Sequence, residues 1–224
     1  MTDKKVNRKD EKKQTEELLK KLVAKVDANP ADYHAYYNLG AMLTQVKSYA
    51  QAEELFLKAQ GLLKNQTREA TDELTYGLAN VYYESGKFDQ AIHEFTKIKS
   101  DKLQKDTYLM ISQCYIGLGN HKQALAYALT AQNLAKQDSS ANRLVAENLL
   151  ALGNFDEAAQ YFDIILKNDP EDGAANFDRG LLAMVLSQPF DDYFKKAKKN
   201  DPTYFKKQQN KLVGIEELIK ARKN

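Results

Sequence analysis

Apolar positions along this chain recur at spacings of three and four, with almost no strict alternation, so the pattern predicts helices throughout. The clearest instance runs from Ala146 to Pro170. Ala146 and Leu149 lie near the end of one predicted helix, and Gly153 can take a positive φ and close it. A second helix then carries Ala158, Tyr161, Phe162 and Ile165 on one face. Pro170 cannot continue it, and the residue before a proline is pushed out of the helical region. The stretch reads as helix, tight turn, helix.

The same pattern recurs. A small residue falls in the first helix of each unit at Gly40, Ala79, Ser112, Ala146 and Gly180, at intervals of 39, 33, 34 and 34. Twelve residues further on come Ala52, Ala91, Ala124 and Ala158, and seven beyond those Ala59, Ile98, Ala131 and Ile165. Glycine holds the turn at Gly86, Gly119 and Gly153, with Lys47 in its place in the first unit. Four registers recurring together resemble the tetratricopeptide repeat, a helix–turn–helix unit of about 34 residues. Leu39-Gly40, Leu43 and Phe56, Leu78-Ala79, Tyr82 and Phe95, and Ala146, Leu149, Phe162 and Pro170 carry the likeness. Tyr36 and Tyr108 stand where the family often places an aromatic residue early in the first helix; Thr75 and Asn142 occupy that place in the second and fourth units. The resemblance implies an all-α fold, a right-handed α-solenoid superhelix of antiparallel helix pairs.

Measured with this register, the units are 33–66, 72–105, 105–138, 139–172 and a degenerate fifth at 173–202. In the fifth, Gln188-Pro189-Phe190 replaces the glycine turn, and Phe190, Phe194 and Ala197 are its expected buried face. Asn65 to Glu69 either lengthens a helix or forms a loop. A capping helix is expected over 11–29, with Leu18, Leu19, Leu22, Val23 and Val26 as its apolar stripe, and a second over 203–222. Residues 1–10 are expected to be disordered.

Composition narrows the setting. Ten glycines and four prolines are few for a loop-rich fold. Cys114 is the single cysteine, so no intrachain disulfide forms, which favours a reducing compartment. The charged start lacks the apolar segment of a signal peptide, and no apolar run is long enough to span a bilayer. A cytoplasmic monomer without membrane insertion is the expectation. Net charge is +2, but unevenly spread: +3 over residues 1–21, −8 over 22–194 and +7 over 195–224. Solvated lysine-rich ends explain this distribution.

Motifs for catalysis are missing. His34, His93 and His121 are scattered, and no HExxH pattern, cysteine pair, phosphate-cradling glycine loop or nucleophile elbow occurs. Cys114 sits beside packing residues and reads as a small buried hydrophobe. The expectation is a non-enzymatic protein without cofactor or metal.

Recognition is what remains. Stacked helix pairs present a concave face, which in this family the first helices line. With Leu78, Ala79 and Tyr82 packing, the neighbouring stripe of the second unit is Glu73, Tyr76, Asn80, Tyr83 and Glu84. The corresponding candidates elsewhere are Tyr37; Asp106, Leu109 and Gln113; Arg143 and Glu147; and Phe177. Tyrosines give rigid contact area with a polar tip, and amides can bond an extended peptide backbone. Acids outnumber the single Arg143, so the expected ligand is a protein or peptide segment of apolar and basic character. At the places matching the cationic clamp of the family's chaperone-tail binders stand Tyr37, Ala41, Gly77, Asp106 and Met110, none of them basic. Two other readings compete: a nucleic-acid- or ribosome-associated protein using Lys195, Lys196, Lys198, Lys199, Lys206, Lys207 and Lys211, and a self-assembly module. The acidic body and the absence of base-stacking motifs count against nucleic acid.

Overall fold

The computed structural model describes the backbone of residues 2–63 and 67–223, with side chains over 13–63, 67–217 and 221. Among the described residues it is all helix, in two compact units, 1–118 and 119–224. The first holds α1 (Thr2–Ala28), α2 (Tyr33–Gln45), α3 (Tyr49–Leu62), α4 (Arg68–Glu84), α5 (Phe88–Phe95) and α6 (Asp101–Gly117). The second holds α7 (His121–Leu134), α8 (Ser139–Ala151), α9 (Phe155–Asn168), α10 (Gly173–Val185), α11 (Asp191–Asn200) and α12 (Pro202–Lys223).

Three second helices pack between two first helices: α3 between α2 and α4, α5 between α4 and α6, α9 between α8 and α10. This is the solenoid arrangement. The small residues in register make it possible, since Ala52, Ala79, Ala91, Ser112, Ala124, Ala146 and Ala158 are all fully buried. Where the register has glycine, an aromatic ring fills the space. The Phe56 ring of α3 lies against both Gly40 of α2 and Gly77 of α4, too close for a Cβ on either.

Helix starts are capped by side chains that accept from exposed backbone N–H groups. Asp32 accepts from His34 and Ala35, Thr67 from Ala70, Asp138 from Ala141 and Asp172 from Ala175. In the turn of each unit one residue adopts the left-handed conformation: Lys47 (φ 62°), Gly86, Gly119, Gly153 and Ser187 (φ 57°). The fifth unit therefore keeps its turn at Ser187, in register, and Gln188-Pro189-Phe190 is an extension of it. Arg179 braces that extension. Its guanidinium donates to the Asp163 carboxylate at 2.8 Å and to Gln188 at 3.2 Å, and lies over the Tyr193 ring.

Several boundaries differ from those read in the sequence. α4 starts at Arg68 and α6 at Asp101, each ahead of the unit boundary drawn there, because Thr67 and Ser100 hold the N-cap positions. α5 ends at Phe95, which leaves Ile98 outside the helix. The next turn lets Lys99 N–H donate to the buried Asp72 carboxylate at 3.2 Å. Residues 65 and 66 of the ambiguous stretch lie outside the described residues; α3 stops at Leu62. α1 begins at Thr2, so the backbone over 2–10, expected to be disordered, is helical. Its lysines, arginine and glutamates are good helix formers. On α1, Leu19, Leu22 and Val26 are half-buried against α2, while Leu18 and Val23 remain exposed.

Asn142 takes the place of the family's early aromatic residue. It is fully buried and donates to the carbonyls of Lys136 at 2.9 Å and Asp138 at 2.8 Å. Asn176, in the same register, donates to Pro170 and Asp172. Both side chains pin the loop that enters their own helix.

Candidate functional site

In the first unit, α2 and α4 place Tyr37, Asn80 and Glu84 around a cavity of about 450 Å³, floored by the Phe56 ring. Tyr37 is half-buried, its ring edge-on to Phe56 with centroids 6.2 Å apart. Gly77 also lines the cavity, and having no side chain it leaves the Phe56 ring room. The sequence stripe thus divides by role. Tyr37, Asn80 and Glu84 share one concavity, whereas Tyr76 packs edge-on against Phe95 at 5.5 Å and Tyr83 packs tilted against Phe88 at 5.8 Å.

Asn80 follows Tyr76 by one turn of α4, and its amide opposes the rise in the tyrosine's pKa. Burial, with smaller contributions from Asp106 and Tyr37, pushes the Tyr76 hydroxyl up to about 12, so it stays protonated at neutral pH. Burial likewise raises Tyr37, helped by Glu73, and Tyr83, helped by Glu84. The acids differ in their surroundings. Glu73 has the His34 ring at 3.3 Å and Asp106 has Lys105 at 3.4 Å. Glu84 is exposed and forms no ion pair among the described residues. Leu109 and Gln113 of α6 are half-buried.

In the second unit the candidates are engaged by the chain itself. Phe177, expected on an open stripe, is 0% exposed. It lies edge-on to Phe194, Tyr204 and Phe205, with centroids 5.3–5.8 Å away, in a cluster that Leu212 and Ile215 of α12 complete. The expectation took Phe177 as surface because the packing of the last helix cannot be read from a repeat register. Arg143 makes two bonds to Asp172, at 3.0 and 3.2 Å, and one to Asp178 at 3.4 Å. Tyr204 O–H donates to the same Asp178 carboxylate at 3.0 Å. Burial raises the pKa of Asp178 against the opposing pull of Tyr204, Arg143 and Lys211. Glu147 is raised by burial and then by Asp178. Asp178 and Tyr204 are the residues that sequence reasoning missed here, since neither lies on the predicted stripe.

Cys114 is fully buried and its thiol is pushed up to about 12 by burial, which removes it as a nucleophile. Among the described residues no group of three or more His, Cys, Asp or Glu is placed to hold a metal ion. Nor is any helix there long and apolar enough to cross a membrane.

Comparison with known proteins agrees with this architecture. Residues 33–99, 106–138 and 146–189 each match the tetratricopeptide repeat. Among curated proteins, response regulator aspartate phosphatase J of Bacillus subtilis (strain 168) is 28% identical over 92 residues, 38% of this chain. The chain spans only about a quarter (25%) of that relative's length. Among solved structures, YrrB, described as a TPR protein with an unusual peptide-binding site, superposes with a TM-score of 0.60 at 22% identity over 82% of this chain and 94% of its own. Pseudomonas aeruginosa pilF gives 0.66 at 16% identity over 89% and 91%, and MamA gives 0.61 at 17% over 80% and 94%. At these identities the likeness is one of fold. With three matches in series along a chain of stacked helix pairs, the protein belongs to the tetratricopeptide repeat family of protein-interaction scaffolds.

Proposed function

We propose that this protein is a non-enzymatic adaptor, cytoplasmic, that binds a peptide segment of apolar and basic character along the first helices of its repeats. The observation that carries the reading is the cavity of about 450 Å³ where Tyr37, Asn80 and Glu84 meet. Its size falls in the range of small-ligand sites, about 300–1,000 Å³, and its walls combine the Tyr37, Tyr49 and Phe56 rings with the polar side chains of Thr44, Gln45, Lys47, Asn80 and Glu84. Glu73, Tyr76, Tyr83, Asp106, Leu109 and Gln113 would extend the contact within the same unit. YrrB's described peptide-binding site supports a ligand of this class.

The nucleic-acid reading has less support. Lys195 and Lys199 lie beside Asp192 (3.1 Å) and Glu171 (3.8 Å), so part of the basic surface is already neutralised. The test is to pan random twelve-residue peptides displayed on phage against the full chain and against Glu73→Lys with Glu84→Lys. Peptides recovered on the wild type should lose binding to the variant and weaken as salt rises. Equal binding to both proteins would remove the groove assignment.

A further inference from the structure

The same cavity supports a sharper assignment, which rests on the reading of this face as a peptide groove. Three rings line it: Tyr37 from α2, and Tyr49 and Phe56 from α3. Aromatic faces carry negative potential and attract a cation, more strongly where water is excluded. Tyr37 and Phe56 are fixed edge-on to one another, so this wall is formed before any ligand arrives. One carboxylate, Glu84, lines the cavity from α4, one turn after Asn80.

Charge decides the occupant. Glu73 and Asp106 have His34 and Lys105 beside them, while Glu84 has no ion-pair partner among the described residues. Lys47 lines the cavity as well, from the α2–α3 turn, and is not ion-paired with Glu84. A cation entering the cavity is repelled at the Lys47 side and drawn to the Glu84 side, which fixes its direction. A planar guanidinium suits this combination better than an ammonium, because it can stack on a ring and bond a carboxylate through two N–H groups at once.

We infer that the cavity between α2, α3 and α4 is the anchor pocket for an arginine side chain of a peptide partner, with its stem against Tyr37 and Phe56 and its guanidinium on Glu84. The Asn80 amide, which lines the same cavity, borders the anchor and bonds the partner's backbone next to that arginine.

The test uses peptides recovered by phage panning on the full chain, synthesised with the shared basic residue as arginine, lysine, citrulline or leucine. Binding is measured by fluorescence anisotropy on wild type and on Glu84→Gln, whose exposed position leaves folding intact by circular dichroism. Arginine should be enriched in the recovered peptides, and citrulline, which keeps the shape without the charge, should weaken binding about tenfold or more. On Glu84→Gln that penalty should largely vanish, and lysine should fall between arginine and citrulline on the wild type. Should peptides bind yet show the same citrulline penalty on both proteins, or be enriched in acids that answer to Lys47, the arginine anchor is wrong and the groove reading survives. If no peptide is recovered, or those recovered bind Glu73→Lys with Glu84→Lys as well as wild type, both readings fall.

Discussion

Phe56 shows how much a single residue register controls. Its ring is held between Gly40 and Gly77, and it forms both core and cavity floor. By helix propensity alone, replacing either glycine with alanine would stabilise its helix. Here the added methyl would fall inside the ring, which is buried and pressed from the other side by the second glycine. Gly77→Ala should therefore lower stability by about 1–3 kcal/mol in urea unfolding, the cost typical of overpacking. Gly61→Ala is the control, since nothing lies within 4 Å of its added Cβ. It should raise stability by about 0.5–1 kcal/mol. If both variants moved the midpoint the same way, propensity rather than packing would govern Gly77.

At the scale of elements, the left-handed residue in each turn is the repeated device that joins two helices. Glycine adopts this conformation without cost, whereas Ser187 carries a Cβ into it. Ser187→Gly should stabilise the protein by about 0.5–1 kcal/mol, and Gly153→Ala should cost about 1 kcal/mol, both read from urea midpoints. The other element-level prediction concerns the seat of α12. Asp178 faces Arg143 from α8, Tyr204 and Lys211 from α12, and Asp172 at the start of its own helix. Burial nevertheless raises its pKa above the ordinary carboxylate value. A raised carboxylate pKa contributes stability that is fully present below the unfolded value and is lost as pH rises through the folded one. Asp178→Asn keeps an oxygen for Tyr204 and removes the charge. Its urea midpoint should exceed that of the wild type at pH 7, and the advantage should shrink as pH is lowered toward about 4. A variant less stable than wild type at pH 7 would show that the Arg143 pairing outweighs burial.

For the whole molecule, stability in a repeat array is a sum of local terms, so damage to one unit stays largely within it. Phe177→Ala opens a cavity beneath α12 and should cost about 3–5 kcal/mol. Hydrogen exchange followed by mass spectrometry should show amides of α10 to α12 losing protection while those of α2 to α4 keep theirs. Uniform loss along the chain would mean that the units unfold as one cooperative body.

Periodicity alone determined the helix pairs, because stacking repeats demands a small residue wherever two helices meet, and Gly40, Ala79, Ala146 and Ala158 announce that demand directly. The turns of the first four units were legible for the same reason, even at Lys47, where the residue type departs from glycine but the spacing does not; the fifth, at Ser187, was masked by the Gln188-Pro189-Phe190 extension. What a register cannot express is contact between residues of different spacing. The Asp72 bond to Lys99 and the gathering of Tyr37, Asn80 and Glu84 around Phe56 depend on distances across helices. The fate of Phe177 depended on the tertiary structure most of all. Its position in the repeat matches that of Tyr37 and Tyr76, yet α12, a helix outside the repeat pattern, packs over it and turns a candidate contact into core.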